Sequence, residues 1–245
     1  MSWKYAVLGA MVMTLAGAVS TVQAQTSESR FSVDFGLGIN NGISGNINSG
    51  AIGNLNGQVT VVTKNTYDDV YGTGGNLSFG GGFMYRPDTE IKASFLFESL
   101  DADLTPMGDY GASNLYGQYS HYQTFALSVG LRRYTTVRPK IRIYGEGLIG
   151  VGFVDKVDVT LAAPGAGLSG KNNDFYDQTA AFTWGINGGA LFQTNEHLGV
   201  FAQTGLRYIT GMSGVDDLAG TGLDSINDNS ARWAIPFVVG IRFQF

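Results

Sequence analysis

The sequence has no cysteine and few charged residues. Zero Cys among 245 residues excludes disulfides, thiolate catalysis and Cys-based zinc sites. Charged residues make up 14% of the chain, against about 25% in soluble domains, so something other than water is expected to cover much of its surface. The net charge of -5 offers no basic field, so we expect no nucleic-acid partner.

Long apolar stretches are also missing after the N-terminus. Lys4, an apolar run over Tyr5–Ala18 and the small-residue sequence Val22-Gln23-Ala24 predict a cleavable signal peptide over residues 1–24. No later segment offers the roughly 20 apolar residues that a transmembrane helix needs. Residues 25–245 are therefore predicted to be exported and to form one domain.

Period-two alternation is the strongest signal in this exported part. In the last segment apolar and aromatic residues occupy alternate positions, namely Trp233, Ile235, Phe237, Val239, Ile241, Phe243 and Phe245. The intervening positions are mainly small or polar, and Phe31–Asn40 shows the same pattern. Side chains of a strand alternate between two faces, so each strand is expected to separate two environments.

Eight segments fit this description. The others are 77–86, 91–100, 119–134, 141–153, 180–193 and 198–212. Short connections (87–89, 135–140, 194–197) alternate with long Gly-, Asn-, Asp- or Ser-rich ones (41–76, 101–118, 154–178, 213–230). This organisation predicts an all-β, antiparallel up-and-down transmembrane β-barrel with short periplasmic turns and four long external loops. An apolar outer face and full closure are what a bilayer demands of such a sheet.

Two features do not fit simply. Gln58–Thr63 and Val157–Leu161 look like strands inside the long connections, so hairpins projecting beyond the membrane and a ten-stranded barrel are both open alternatives. Pro236 lies in mid-strand and has no N–H to donate. We predict a bulge or a broken ladder bond there.

Charged residues share the inward parity, and a lumen of about eight strands is only wide enough for side chains to fill. We predict an interior charge network of salt bridges that plugs it; the residues placed inside by parity are Asp34, Arg86, Lys92, Glu98, Arg132, Arg142, Glu146, Arg207 and Arg242. Asp34 is expected to pair with Arg242, and Arg132, Arg142 and Glu146 to form a second cluster. The alternative is a narrow conduit for ions or small solutes.

The chain ends in Ile241-x-Phe243-x-Phe245, and Arg138-Pro139-Lys140 leads into a Gly-rich strand. In these features the whole exported chain resembles the small eight-stranded bacterial outer-membrane barrels, the OmpA-like and OmpX-like or porin-family proteins. The resemblance implies an outer-membrane location, contact with lipid and lipopolysaccharide, and a C-terminal signal, Ile241, Phe243 and Phe245, read by the outer-membrane assembly machinery. Such proteins act as adhesins, envelope stabilisers, conduits or lipid-modifying enzymes, so fold alone does not select a function.

No catalytic, cofactor or metal site is predicted. Gly145–Gly150 matches a dinucleotide motif in letters but lies within a strand, without the helix that the motif requires. Ser120 and His121 are adjacent and face opposite sides of a strand, so they cannot cooperate without a bulge. Asp216, Asp217, Asp224 and Asp228 are interpreted as a solvated acidic loop, with weak ion bridging to lipopolysaccharide as the alternative.

The leading hypothesis is therefore a non-enzymatic surface barrel whose external loops contact a host, phage or neighbouring-cell ligand and whose barrel supports envelope integrity. The conduit is second. A soluble, lipocalin-like binder is third, and it would need the opposite polarity, with a polar exterior and an apolar cavity.

Overall fold

The computed structural model describes residues 30–170, 172–215 and 220–245, so the predicted signal peptide lies outside the described residues. The described chain is almost entirely β-structure. Its strands are β1 (Phe31–Ser44), β2 (Asn46–Asn48), β3 (Ala51–Leu55), β4 (Gln58–Val62), β5 (Asn65–Thr66), β6 (Gly74–Arg86), β7 (Thr89–Leu100), β8 (Leu104–Tyr110), β9 (Ser113–Tyr119), β10 (Tyr122–Arg138), β11 (Ile141–Val154), β12 (Val157–Ala162), β13 (Asn172–Tyr176), β14 (Thr179–Gln193), β15 (Leu198–Ile209) and β16 (Arg232–Gln244).

Within residues 30–170, 172–215 and 220–245, helical structure is limited to short pieces. Helix α1 spans Tyr67–Val70, and a single 3-10 turn covers Pro164–Ala166. Thr66 caps α1 in a reciprocal capping box with Asp69. Within the described residues no helix has the length and apolar character needed to cross a bilayer.

Eight long strands close into an antiparallel barrel in the order β1-β16-β15-β14-β11-β10-β7-β6. The eight-stranded prediction is confirmed, and the ten-stranded alternative is wrong. Phe245 exchanges two backbone hydrogen bonds with Phe31, at 2.9 and 3.2 Å, which joins the last strand to the first. The segment predicted from residue 119 is divided, because Tyr119 ends β9 and the barrel strand β10 starts at Tyr122.

The barrel wall has an apolar exterior and a polar interior. Alternate side chains of every barrel strand are exposed, large and hydrophobic, including Leu37, Phe79, Phe97, Val129, Ile149, Phe182, Val200 and Val239. Trp184, Tyr208 and Trp233 form an aromatic cluster on one edge of this belt, with ring centroids 4.9–5.9 Å apart. A closed barrel with this polarity suits a bilayer, where aromatic residues concentrate at the interface.

The ladder between β15 and β16 is interrupted at Pro236. Pairing runs to Thr204–Phe237 and resumes at Arg207–Ala234 without a change of register. The predicted broken ladder is therefore confirmed and no bulge is needed. Thr204 compensates in part, since its hydroxyl donates to the Pro236 carbonyl at 2.9 Å.

Above the barrel, a six-stranded sheet runs in the order β13-β12-β9-β8-β4-β3. It continues the barrel wall in register. Thr124 pairs with Val154 in the barrel, and five residues further outward on both sides of the ladder Tyr119 pairs with Val159. The long connections predicted as loops are thus largely strands, and Gln58–Thr63 and Val157–Leu161 belong to hairpins that project beyond the membrane. The strands of this region span at most seven residues, which is too few for period-two alternation to distinguish a strand from a loop in the sequence.

The described parts of the last long connection, residues 210–215 and 220–231, contact the two edges of this sheet. On one side Tyr176 bridges Gly214, and on the other Asn54 donates its backbone N–H to the Thr221 carbonyl at 2.7 Å. Leu223 and Ile226 from this connection are fully buried. Together with β2–β5, α1, β8, β9, β12 and β13 it forms a closed body, which we call the cap.

The cap has its own hydrophobic core. Its buried members include Ile47, Tyr67, Tyr71, Met107, Leu115, Tyr119, Val159, Phe175 and Tyr176. The Tyr71 hydroxyl donates to the Ser120 carbonyl at 3.0 Å, and the Tyr119 hydroxyl donates to Asn48 Oδ1 at 3.1 Å. The cap is therefore a packed body, whereas the sequence predicted these segments only as long external loops rich in glycine and asparagine.

Candidate functional site

Six charged side chains interlock in the periplasmic half of the lumen. Asp34 contacts Lys92, Arg132 and Arg242, with Arg132 Nη1 at 3.0 Å and Arg242 Nη1 at 3.3 Å. Arg132 also binds Glu146 at 2.6 Å, and Arg242 binds Glu90. Three carboxylates therefore balance three cations, and we call this set the lower charge cluster.

Hydroxyl and amide groups complete the lower charge cluster. The Tyr134 hydroxyl donates to Glu90 Oε2 at 2.7 Å, and Ser32 donates to Glu90 Oε1 at 2.5 Å. Asn187 donates to Glu146 Oε1 at 2.9 Å. Buried ions need such additional partners, because ion pairing alone rarely offsets their desolvation.

A second pair lies where the barrel meets the cap. Arg232 Nη2 binds Glu98 Oε1 at 2.6 Å, and both side chains are almost completely buried. The Arg232 guanidinium lies 5.0 Å from the ring centroid of Tyr122. Tyr122 in turn packs against Tyr67 and Tyr71 of the cap, at centroid distances of 5.8 Å. An aromatic layer thus covers the external end of the lumen.

The sequence-predicted residues divide into those that meet and those that do not. Asp34 with Arg242 and Arg132 with Glu146 come together as expected. Arg142 does not join them: its guanidinium stacks 4.1 Å above the Tyr134 ring near the periplasmic mouth. It lies at the start of β11, beside the open mouth, and an aromatic face takes the place of a carboxylate partner. Arg86, which parity placed inside, is exposed at the same rim and packs over Tyr85.

Two residues of the network were missed. Glu90 and Arg232 have the inward parity of Lys92 and Arg242, but the predicted segments began one residue later, at Ile91 and Trp233. Extending each alternating segment by one residue would have found both. Each is an ion-pair partner of a predicted residue, since Glu90 binds Arg242 and Arg232 binds Glu98.

The lumen has little free space. Two adjoining interior cavities of about 40 and about 30 Å³ lie between the charged layers, and Ser94, Asn187 and Arg207 line both. A volume of this size holds only a few water molecules. At the periplasmic mouth a wider cavity of about 460 Å³ is lined by Arg30, Arg86 and Arg142, which makes that entrance cationic.

An open groove of about 600 Å³ lies at the base of the cap, lined by Ser120, His121, Asp155, Lys156, Asp158 and Asp177 among others. His121 Nδ1 is 2.6 Å from Asp101 Oδ1, and both side chains are largely exposed. Ser120 Oγ accepts a hydrogen bond from the Asp158 backbone N–H at 3.0 Å. Ser120 and His121 thus have separate partners, as expected for adjacent residues of an extended chain.

The groove also contains a cation bridging two acids. Lys156 Nζ lies 3.2 Å from Asp158 and 3.1 Å from Asp174. Hydrogen bonds to Asp174 and Asp158 raise the pKa of Lys156. In the last connection, Asp224 accepts the Gly220 N–H at 2.6 Å, while Asp216 and Asp217 lie outside the described residues.

The most exposed apolar surface of the cap lies on the β3–β4 hairpin. Ile52 is 71% exposed and Val59 60% exposed on its outward face. The hairpin turns at Asn56-Gly57, where both residues have positive φ, as a two-residue turn of this kind requires. These two side chains give the hairpin a small apolar surface that faces water rather than lipid.

Comparisons with known proteins found similarity among solved structures alone. No family model matches the sequence, and no curated protein matches it either. Among solved structures, Neisserial surface protein A is 9% identical, with a TM-score of 0.47 over 88% of this chain and 97% of that chain. OprG from Pseudomonas aeruginosa is 12% identical, with a TM-score of 0.44 over 89% and 96%. The outer membrane protease OmpT from Escherichia coli is 9% identical, with a TM-score of 0.47 over 92% and 100%.

Proposed function

Since the chain is an eight-stranded outer-membrane β-barrel, we propose that it is a non-enzymatic surface protein whose cap contacts a ligand on a host, a phage or a neighbouring cell. The observation that carries the proposal is the cap itself. Its wall continues the barrel in register, and its core is packed with buried aromatic side chains. A rigid body presented above the membrane suits recognition, because little conformational entropy is lost on binding.

The first test addresses the β3–β4 hairpin. Ile52→Ser and Val59→Ser together remove its exposed apolar surface without touching the cap core, so folding and surface display should be unchanged. Adhesion of expressing cells to host cells, and phage adsorption, should fall at least tenfold, as for loss of a contact worth more than about 1.4 kcal/mol.

A matched control is Ile149→Ser, an exposed apolar residue of the lipid-facing belt. It changes the same chemistry away from the cap and should leave ligand binding intact in protein that reaches the surface. Equal adhesion by wild type and the hairpin double variant, and by a chain whose entire cap is replaced by short turns, would refute the surface role.

The interior charge network acts, in this proposal, as a structural plug that holds the barrel shut and supports envelope integrity. Support comes from the balance of the lower charge cluster and from the aromatic layer above Arg232. The competing function is a narrow conduit. Reconstituted in planar bilayers, the protein should show no steady openings, whereas large regular conductance steps would favour the conduit.

The non-enzymatic assignment rests on the groove at the base of the cap. His121 binds Asp101, while the neighbouring Ser120 oxygen accepts the Asp158 backbone N–H. In the part of the chain that the structure describes, no serine or threonine hydroxyl is hydrogen-bonded to His121, the contact that a histidine-activated nucleophile needs. Mass spectrometry of lipid A and of added peptides should show the same species with wild type and His121→Ala. Loss of an acyl chain or peptide cleavage that depends on His121 would show an enzyme.

Ile241, Phe243 and Phe245 are proposed as the signal for the outer-membrane assembly machinery. Ile241 and Phe245 are exposed on the lipid-facing side of β16, where a partner strand or protein can reach them before the barrel closes. Deleting Phe245 should lower the folded fraction in cells several-fold, with much less effect on refolding into detergent. Equal losses in both settings would assign Phe245 to barrel closure alone.

A further inference from the structure

The charges of the lumen do not balance at its external end. In the lower charge cluster Asp34, Glu90 and Glu146 face Lys92, Arg132 and Arg242. Further out, Glu98 is the single acid beside two arginines, Arg232 and Arg207, and it is bound to Arg232. Arg207 is therefore left as an unmatched cation inside the barrel.

The surroundings of Arg207 make this imbalance costly. Its Nη1 is enclosed and has no hydrogen-bond partner among the described residues. Burial removes the hydration of the Arg207 guanidinium, and although Glu98 and Glu146 attract it through space, neither forms a salt bridge with it. The β15 strand holds Arg207 between Gly185 and Ala234, and neither neighbour offers an acceptor side chain.

Arg207, Ser94 and Asn187 line both interior cavities, while Ser128 lines the smaller one and Gln203 the larger one. Ser94 and Ser128 face each other across the β7–β10 ladder. Gln203 uses its Oε1 to accept from Tyr144 at 2.9 Å and from Arg132 at 3.4 Å, so its amide nitrogen is available to donate. The charge and the donors both suit an anion.

We propose that the lumen binds one small monovalent anion, of the halide class, beside Arg207. Asp34 and Glu146 line the larger cavity, whereas Arg207 is the one charged residue in the lining of the smaller one, of about 30 Å³. The smaller cavity therefore suits the anion better, and it excludes phosphate esters and carboxylates with organic tails. The anion completes the charge balance of the plug and is enclosed when the barrel closes. Water alone in these cavities would leave the guanidinium without a counter-charge.

The test loads the anion during folding, because the cavities are enclosed. The full exported chain is refolded into detergent with bromide as the single halide and, in parallel, with gluconate at equal ionic strength. Crystals of the bromide sample should give an anomalous peak next to the Arg207 guanidinium. A tenfold excess of bromide over its Kd should raise the unfolding midpoint by about 3–6 °C over gluconate.

Arg207→Met removes the charge and keeps much of the side-chain volume, so both the peak and the bromide-dependent shift should disappear. The matched control is Arg142→Met, which removes an arginine from the periplasmic mouth and should keep both. Should Arg207→Met fail to fold, Arg207→Lys retains the charge and should retain the peak. The proposal is overturned if wild-type crystals show only water at Arg207, or if the midpoint is the same in bromide and gluconate.

Discussion

The barrel and the cap share one wall but have opposite polarity. Along β11 the outward residues are Ile149, Val151 and Phe153, and the inward ones include Glu146. Beyond Val154 the wall continues as β12, where the inward residues Val159 and Leu161 are buried and apolar. The solvent on the outer side changes from lipid to water, and the chemistry of the inner side changes with it.

This contrast explains why two different cores stabilise one protein. In lipid the outer face of the barrel must be apolar, so the charged side chains of the barrel strands lie in the interior. There they form ion pairs that fix the register of the strands and exclude solvent. In water the hydrophobic effect acts on the cap, which therefore buries tyrosines and leucines. Each region can be disturbed separately, and the following changes should do so in descending order of effect.

Alkaline pH should open the cap. Burial raises the pKa of Tyr67, Tyr71, Tyr119 and Tyr176 above the usual range. Because the pKa of each tyrosine is higher in the folded cap than in the unfolded chain, the cap keeps its full stability below about pH 10, where the unfolded tyrosines are still protonated. As the pH rises further, ionisation favours the unfolded chain and that stability is lost. The loss should be roughly 1 kcal/mol per tyrosine for each pH unit above that value.

Limited proteolysis and near-UV circular dichroism between pH 9 and 11 measure this opening. Tyr67→Phe is the matched variant, because no hydrogen bond of the Tyr67 hydroxyl is found among the described residues, and it should make the pH dependence shallower. A cap equally resistant to protease at pH 9 and pH 11 would refute this view of its core.

Asp34→Asn should weaken the barrel and leave the cap core unchanged. Lys92, Arg132 and Arg242 would then face one another without their shared carboxylate. Breaking a buried ion pair costs about 3–5 kcal/mol, measured as the free energy of unfolding in detergent with denaturant. Asp88→Asn, which loses only the exposed pair with Arg133, should change it little, and equal effects of the two variants would contradict the plug.

Leu115→Ala should weaken the cap in the complementary way. Leu115 is fully buried in the cap core, and such truncations cost about 2–5 kcal/mol. Hydrogen exchange should speed up in β8, β9 and β12, while exchange in the barrel strands and the heat resistance of the folded band are retained. Simultaneous loosening of both regions would show that they unfold as one unit.

Gly53→Val is the mildest of these changes. A side chain at this edge of β3 would meet Leu223 Cγ at 2.7 Å and the Thr221 carbonyl as well. The last connection would have to move outward, at a cost of about 1–3 kcal/mol. Faster exchange confined to residues 220–230 and β3 is expected, whereas Gly72→Val, which has open space around it, should leave the 220–230 connection protected.

The barrel was predictable from sequence because its strands are long. Alternation over ten or more residues, as in Phe31–Ser44 and Arg232–Gln244, identifies a strand and its faces together. Asp34 and Arg242 could be paired in advance because closure makes the first and last strands neighbours. The one-residue errors at Ile91 and Trp233 concealed Glu90 and Arg232, since strand ends are the least certain part of any such assignment.

The cap was not predictable in the same way. Its strands are short, and β4 pairs with β8 across more than 40 residues of intervening chain, as in Thr60 with Tyr110. No local pattern encodes such a pairing. The closure of the cap by residues 210–231 likewise depends on backbone contacts such as Asn54 with Thr221, which any residue type can make.

The absence of native cysteine permits a direct test of the change in polarity. Single cysteines would be probed with a membrane-impermeant maleimide in intact cells. Two lie on the outward face of β11 (Val151→Cys and Phe153→Cys), two on the outward face of β12 (Asp158→Cys and Thr160→Cys), and one on the inner face of β12 (Val159→Cys). Cysteine at 158 and 160 should be labelled rapidly, while cysteine at 151, 153 and 159 should be protected by lipid or by the cap core. Rapid labelling at 151 and 153, or at 159, would contradict the account.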